Sequence, residues 1–452
     1  MIRVFEKRNI DMTEGVIWKQ LMLFAIPLIL GDLFQQLYNT VDSIIVGRYI
    51  SKQALAAVSS TTNVVNSVIG IFTGLSVGAT VTIARFFGAK DSEKLSDAVH
   101  TTIVLTIVIS IILTAVGVLG TPFLLMALGT PADVFHDAKI YLQIYFGGIS
   151  GLTFYNMFGG ILRAVGDSRR PLIALIFSAV INIALDLISI LVFDMGVSGA
   201  AWATVIAQIL SMLYLLGVLI CNNEAYALRF SKIRADRVIL KRIFNVGIPI
   251  GIQKSITSFS NVLVLSHINY FGSSAMAAWG IFQKIDQVDT HVLNSMSSAV
   301  TTFTSQNLGA CKEKRINTGL RTAIGLSAII VFAVASLGIS FDDVIISLFN
   351  GDAEIGYYVK IFFRTMLPMR LILCVSFLYS GLARGFGDSR IPMYVMLGCH
   401  VGLRQLYLYF GWPYIKSVPF VVSSYMFSWV VSLVIMAFFK HKKYDKTIKL
   451  RG

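Results

Sequence analysis

Four polar side chains recur at intervals of three or four residues within an otherwise apolar stretch near the N-terminus. They are Asp32, Gln35, Asn39 and Asp42. On a helix this spacing places all four in one stripe, because residues three and four apart lie on the same face. Carboxylate and amide oxygens bind hard cations such as Na⁺, and a buried carboxyl group can also take up and release a proton. The stripe therefore indicates cation chemistry at Asp42, unless Asp42 lies at the end of its segment and extends to water.

Asn182 and Asp186 form a second polar pair in a later apolar stretch. They are four residues apart, so a helix places both side chains on one face. The asparagine can orient the carboxylate or offer its amide oxygen to a cation. A purely structural hydrogen bond between helices would instead be worth about 1 kcal/mol. The residue types fit either a proton or Na⁺, and the sequence leaves the choice of ion open.

The segments that hold these residues are too apolar for a soluble protein. Of the 452 residues, 56% are hydrophobic and 14% are charged, and the mean hydropathy is +0.74. Soluble domains carry about 25% charged residues, and a membrane-spanning helix needs about 20 apolar ones. Twelve runs qualify as spans: 17–46, 55–84, 98–120, 137–160, 171–193, 198–220, 243–269, 276–304, 318–340, 355–383, 391–411 and 418–439. We therefore expect an all-α membrane protein with twelve transmembrane helices.

Lysine and arginine are concentrated in every second connection between these runs and in the tail that follows residue 439. Cytoplasmic loops of membrane proteins show this bias. We therefore expect a multi-pass protein of the bacterial cytoplasmic (plasma) membrane with both termini in the cytoplasm. The same distribution accounts for the formal net charge of +14. The lipid bilayer, and not nucleic acid, is the expected partner, and we expect a monomer.

No pattern in the chain indicates an enzyme or a cofactor. The sequence contains neither an HExxH nor a Walker motif, either of which would mark a catalytic or nucleotide-binding site. The four cysteines show neither CxxC nor metal-ligand spacing. They are Cys221, Cys311, Cys374 and Cys399. We expect no cofactor, and no metal unless Na⁺ binds at Asp42, Asn182 and Asp186.

One nine-residue word occurs twice, as RAVGDSRRP at 163–171 and as RGFGDSRIP at 384–392, which is 221 positions later. The repeat indicates duplication of a six-span unit. We expect an N-terminal six-helix bundle over 1–221, a cytoplasmic linker over 222–242, and a C-terminal six-helix bundle with a basic tail over 243–452. Because six is even, both copies cross in the same orientation and should be related by a pseudo-two-fold axis along the membrane normal. The word itself fits either a helix cap or a gating contact.

The duplication also provides an internal comparison for the acidic residues. In the second copy, Leu263 or Val264 corresponds to Asp42, Leu403 to Asn182 and Tyr407 to Asp186. The loop words were retained in both copies, whereas these acids were not. If the acids only held a bundle together, both bundles should need them, so the asymmetry favours a functional site in the first half.

Several stretches together resemble the multidrug and toxic compound extrusion (MATE) family, and its DNA-damage-inducible branch in particular. They are QQLYNTVDSIIVGRY, LRAVGDSRRP, NIALD, GVSGAAWATVIAQ, QNLGA and ARGFGDSRIP, and the resemblance covers about 16–440. It implies a twelve-helix antiporter that exports organic, often cationic and amphipathic compounds by alternating access of two bundles, driven by inward H⁺ or Na⁺. It also implies a cation site at Asp42, Asn182, Asp186 and Thr204. Span 7 reads GIQKSITSFSN and lacks the glutamate of some Na⁺-driven members, which places a second cation site in doubt.

The cargo is expected to contact aromatic, methionine and amide side chains, because such surfaces adapt to varied flat compounds. The candidates are Gln36, Tyr38, Phe154, Asn156, Met157 and Gln253. Lys254 in span 7 either extends to water or lines the cleft. His400 and Arg404, four apart in span 11, either bind an anionic group or form structural bonds between helices. These bases keep one alternative open, a lipid-linked oligosaccharide flippase of the same superfamily.

Overall fold

The computed structural model describes residues 10–50, 52–127, 129–349 and 352–451, and these residues form helices without a β-strand. The helices are α1 (Ile17–Tyr49), α2 (Lys52–Gly88), α3 (Ser92–Ala127), α4 (Ala132–Gly147), α5 (Ile149–Ala164), α6 (Arg169–Leu187), α7 (Gly196–Ile220), α8 (Arg237–Asn269), α9 (Ser273–Gly309), α10 (Glu313–Ser340), α11 (Asp342–Phe349), α12 (Ala353–Gly385), α13 (Arg390–Met396), α14 (Arg404–Gly411), α15 (Val418–Phe439) and α16 (Lys446–Arg451). Short π-helical stretches extend α6, join α13 to α14 and extend α15; they are Ile188–Val192, Leu397–Leu403 and Lys440–Asp445.

Seven helical segments within the described residues are long and apolar enough to cross a membrane individually. They are Ile17–Tyr49, Ser92–Ala127, Arg169–Val192, Gly196–Ile220, Glu313–Ser340, Ala353–Gly385 and Val418–Ile448. Of the other helices that coincide with expected spans, α8 and α9 are more polar, and two spans are divided into the pieces α4 and α5 and the pieces α13 and α14. The observed helices follow the order of the twelve apolar runs in the sequence.

The fourth expected span, 137–160, is two helices and not one, because α4 ends at Gly147 and α5 begins at Ile149. The interruption is at Gly148, where a Cβ atom would collide with the side chain of Val205 on α7. Only glycine permits this close approach of α7 to the backbone. The break therefore fixes α4 against α7, which carries Thr204.

The described residues divide into two compact units. Within the described residues, unit 1 contains 10–11 and Ile26–Gly247, and unit 2 contains Met12–Ala25 and 248–451. The first part of α1 therefore belongs to unit 2, where the backbone N–H of Met12 donates to Gln306 Oε1 at 3.0 Å. The first part of α8 belongs to unit 1, where Gly78 of α2 packs so closely on the backbone of Ile243 that a Cβ atom would not fit.

Two apolar clusters support the candidate residues of unit 1. The larger cluster joins α2, α3, α5, α7 and the beginning of α8. A smaller cluster packs Ile45 and Val46 of α1 against Ile190 of the π-helical stretch and Val197 of α7. Burial of such side chains contributes about 1.5–3 kcal/mol each. This cluster holds α1 and α6 together one turn beyond Asp42.

The repeated GDSR word builds a helix cap in both copies. In the first copy, Asp167 Oδ1 accepts hydrogen bonds from the backbone N–H groups of Arg169 and Arg170, each at 3.1 Å. Burial raises the pKa of the Asp167 carboxyl, and the hydrogen bonds and charge of the neighbouring arginines oppose this shift. In the second copy, Asp388 Oδ1 accepts from the backbone N–H of Ile391 at 3.4 Å. Its Oδ2 accepts from the hydroxyl of Tyr444 at 3.0 Å and pairs with Lys443 of the tail. The capping interpretation of the word matches this geometry.

Candidate functional site

The carboxyl groups of Asp42 on α1 and Asp186 on α6 lie within hydrogen-bonding reach of each other. Asp186 is 0% exposed, whereas Asp42 is partly exposed. Asp186 is followed directly by Leu187 and the π-helical stretch, a feature often found at functional sites. The sequence placed each acid on a helix face, and the packing of α1 against α6 brings the two faces together.

Asn182 lies one turn before Asp186 and contacts Thr204 of α7. Its amide Nδ2 donates to Thr204 Oγ1 at 3.4 Å, and Thr204 Oγ1 donates to the carbonyl of Ala200 at 3.1 Å. The amide nitrogen is thereby used for a structural bond. The amide oxygen remains for another partner, with the amide orientation assigned from this hydrogen-bond network.

Four buried oxygen atoms in this region receive no hydrogen bond from the part of the chain that the structure describes. They are Oδ1 of Asp42, Oδ1 of Asn182, and Oδ1 and Oδ2 of Asp186. Buried polar atoms are nearly always satisfied, and two adjacent carboxylates repel each other unless a positive charge lies between them. A proton shared by the carboxyl groups, or a cation bound by the oxygens, would satisfy this arrangement.

Tyrosine side chains surround the acidic pair. Tyr38 and Tyr141 are close enough to interact electrostatically with both acids. Tyr141 and Tyr145 stack on α4 with ring centroids 6.2 Å apart. Tyr38 was a predicted cargo residue, whereas sequence reasoning missed the α4 tyrosines. Their spacing of four residues in YLQIYFGG was the available signal.

The rest of the α1 stripe points to other surroundings. Asp32 interacts electrostatically with Tyr155 and Arg163 of α5, whereas Asp42 contacts Asp186 of α6. Gln35 and Asn39 are exposed. The four polar residues therefore share one face of α1 by their spacing, but they lie in two different environments in the folded unit.

The remaining cargo candidates occupy different environments. Phe154 packs on Phe158 with ring centroids 5.4 Å apart, and Asn156 Nδ2 donates to the carbonyl of Leu152 at 2.9 Å. Met157 is 0% exposed and belongs to the apolar core of unit 1. Gln36 on α1 and Gln253 on α8 are partly exposed.

Unit 2 contains a buried charge cluster that sequence reasoning missed. Arg370 of α12 donates to the carbonyl of Asp286 and to Thr290 Oγ1, each at 2.9 Å, and pairs with the Asp286 carboxylate. Asp289 is 0% exposed, and neither of its carboxyl oxygens receives a hydrogen bond from a described residue. Unit 2 therefore carries acids of its own on α9, at positions other than those that correspond to Asp42 and Asp186. The stretch KIDQVDT was the signal.

The second-half bases separate into two groups. Lys254 is exposed on α8. His400 and Arg404 are buried, at 7% and 2% exposure, on the π-helical stretch and at the start of α14. Their spacing of four residues predicts that both lie on one side of span 11, and the structure buries both inside unit 2.

A sequence profile of the MatE family matches residues 27–188 and 249–410 of this chain. The chain belongs to the MATE family. The two matches cover both expected copies of the duplication, and each MATE copy contains one GDSR word. Asp42, Asn182 and Asp186 all lie within the first match.

Named MATE relatives are similar over most of their length. The probable multidrug resistance protein YoeA of Bacillus subtilis (strain 168) is 29% identical over 440 residues, covering 91% of this chain and 94% of the relative. The probable multidrug resistance protein YpnP of the same organism is 32% identical over 308 residues, covering 68% of each chain. Both names refer to drug resistance, and neither supports the flippase alternative.

Solved MATE structures share the fold. The crystal structure of MATE in the straight conformation superposes with a TM-score of 0.90 and 22% identity, covering 98% of this chain and 99% of that one. An outward-facing multidrug resistance MATE transporter of the MOP superfamily gives 0.90 and 23% identity over the same shares. The expected all-α, twelve-span fold is confirmed. The chain is a multi-pass membrane transporter and not an enzyme.

Proposed function

We propose that this chain is a secondary active antiporter that exports organic, often cationic and amphipathic compounds in exchange for inward H⁺ or Na⁺. The names of the relatives support the class of cargo. The paired carboxyl groups of Asp42 and Asp186 carry the proposal for ion coupling, because their buried oxygens lack donors among the described residues. When two carboxyl groups lie this close together, a proton or another cation must offset their mutual repulsion.

Binding of the ion would change the packing of unit 1. With a proton or Na⁺ present, the pair is neutralised and α1 can pack against α6. Without it, two carboxylates in a membrane interior repel each other and attract water or a cationic cargo. Ion entry from outside would therefore weaken cargo binding and favour the inward-open state, by alternating access of the two bundles.

Both ions suit the residues present. A proton needs only the two carboxyl groups. Na⁺ takes oxygen ligands, which Asp42, Asp186, the Asn182 amide and the Thr204 hydroxyl would supply. The protein would act as a monomer in the bacterial cytoplasmic membrane, with its basic loops and both termini in the cytoplasm.

The test is ethidium efflux from proteoliposomes in which a pH gradient and a Na⁺ gradient are imposed separately. We expect one gradient to drive efflux, and Asp42→Asn or Asp186→Asn to abolish it at matched expression. Asp343→Asn is the control, because the side chain of this acid on α11 is 80% exposed and water hydrates its charge. Efflux at the wild-type rate from either Asp42→Asn or Asp186→Asn would refute the assignment.

A further inference from the structure

Arg404 is a buried cation in unit 2 at a position where unit 1 has its polar pair. The two matched copies place it within one residue of the position equivalent to Asn182, one turn from the equivalent of Asp186. It is 2% exposed and directly follows the π-helical stretch Leu397–Leu403. Where the first copy has an amide one turn from its acid, the second copy therefore has a base.

Among the described residues, no acidic side chain pairs with Arg404. Nη2 donates to Ser260 Oγ at 2.6 Å and to Asn261 Oδ1 at 3.0 Å, and the guanidinium lies 4.6 Å from the ring centroid of Tyr425. All three partners are neutral, and Nε has no hydrogen-bond partner among the described residues. Arg370 in the same unit shows the usual solution, since it pairs with Asp286.

Two features near Arg404 would help an anion to bind. They are a second buried nitrogen without a hydrogen-bond partner among the described residues, and a contact residue that lies at the surface of the unit. Nε2 of His400, one turn earlier, is buried without a hydrogen-bond partner in the described part of the chain. Asn261 is exposed, so one acceptor of Arg404 lies at the surface of the unit. Tyr425 continues into an aromatic cluster with Trp279 and Trp429, each with its ring centroid 5.9 Å from that of Tyr425. A neutral side chain could make the structural hydrogen bond to Ser260. A buried guanidinium instead costs free energy, and a bound anion would offset that cost.

We propose that Arg404 is a specificity-determining residue that binds a carboxylate on aromatic cargo. The carboxylate would displace the Asn261 amide from Nη2 and occupy Nε as well, giving the bidentate geometry that arginine favours. The aromatic cluster would contact the flat ring of the cargo. This inference rests on the proposed function, because it specifies the cargo of the same transporter.

The test measures binding to the purified full-length protein by fluorescence anisotropy, without an ion gradient. The probes are a rhodamine with a free benzoate and the methyl ester of the same dye. We expect Arg404→Gln to weaken binding of the free acid by about tenfold or more and to change binding of the ester by less than about twofold. Arg404→Lys should give an intermediate affinity for the free acid, because it keeps the charge and loses the planar fork.

Arg321→Gln is the matched control, since this arginine of α10 is exposed, and both dyes should bind it as they bind the wild type. Equal weakening of both dyes in Arg404→Gln and Arg404→Lys would assign Arg404 to structure and overturn the proposal. Failure of the wild type to bind the free acid would also overturn it. Failure of ion-driven ethidium export is a separate result, because ethidium carries no carboxylate and the binding measurement uses no gradient.

Discussion

Removal of the Arg370 guanidinium should destabilise unit 2 more than removal of an exposed arginine. Arg370→Gln loses the ion pair with Asp286 and the two hydrogen bonds to the Asp286 carbonyl and Thr290. It also leaves Asp286 and Asp289 close together without a cation. Breaking a buried pair by removing one partner costs about 3–5 kcal/mol, whereas an exposed surface substitution such as Arg321→Gln changes stability by about 0.5 kcal/mol or less.

The assay is thermal unfolding of the detergent-purified variants, followed by intrinsic fluorescence. We expect Arg370→Gln to melt well below the wild type and Arg321→Gln to melt beside it. Asp286→Asn introduced together with Arg370→Gln should recover more than half of the loss, because the second change removes the charge that the first left unpaired. If Arg370→Gln melts with the control, the buried pair does not stabilise the unit and the reasoning fails.

Three further outcomes are expected. Gly78→Ala should lower the melting temperature, because its Cβ would strike the backbone of α8, while Gly280→Ala, with open space around its Cα, should be neutral or slightly stabilising; equal melting of the two would contradict the close packing. Tyr444→Ala should expose the C-terminal tail to limited proteolysis by removing its bond to Asp388, and an unchanged cleavage rate would show that this bond does not hold the tail. Tyr407→Phe should cost about 1 kcal/mol through the loss of its 2.9 Å hydroxyl bond to Ser423, and a melting curve identical to that of the wild type would argue against that bond.

Duplication and span order could be predicted from the sequence because both leave local signals. The GDSR words at 166–169 and 387–390 marked two copies, and each word lies within one of the two stretches that match the MatE family. Apolar run length indicated the spans. The break at Gly148 and the π-helical stretches were not predictable in this way, because they depend on which helix packs alongside and not on composition.

The candidate site was only partly predictable. Spacing placed Asn182 and Asp186 on one helix face, but the structure directs them to different partners, Thr204 and Asp42. Those partners come from other helices, and pairing across helices has no signature within one segment. The Asp286–Arg370 pair joins α9 to α12 for the same reason. A search for charged residues at every depth of each span would have found its members, though not their contact.

The central claim is that a cation binds between Asp42 and Asp186 and is exchanged for cargo. The most direct measurement is the release of H⁺ and of Na⁺ when ethidium binds to the purified protein in weakly buffered solution. We expect release of one of these ions from the wild type and from Asp343→Asn, and no release from Asp42→Asn or Asp186→Asn that still bind the dye. Release of the same amount from Asp42→Asn and Asp186→Asn, or ethidium binding to the wild type without release of either ion, would contradict it.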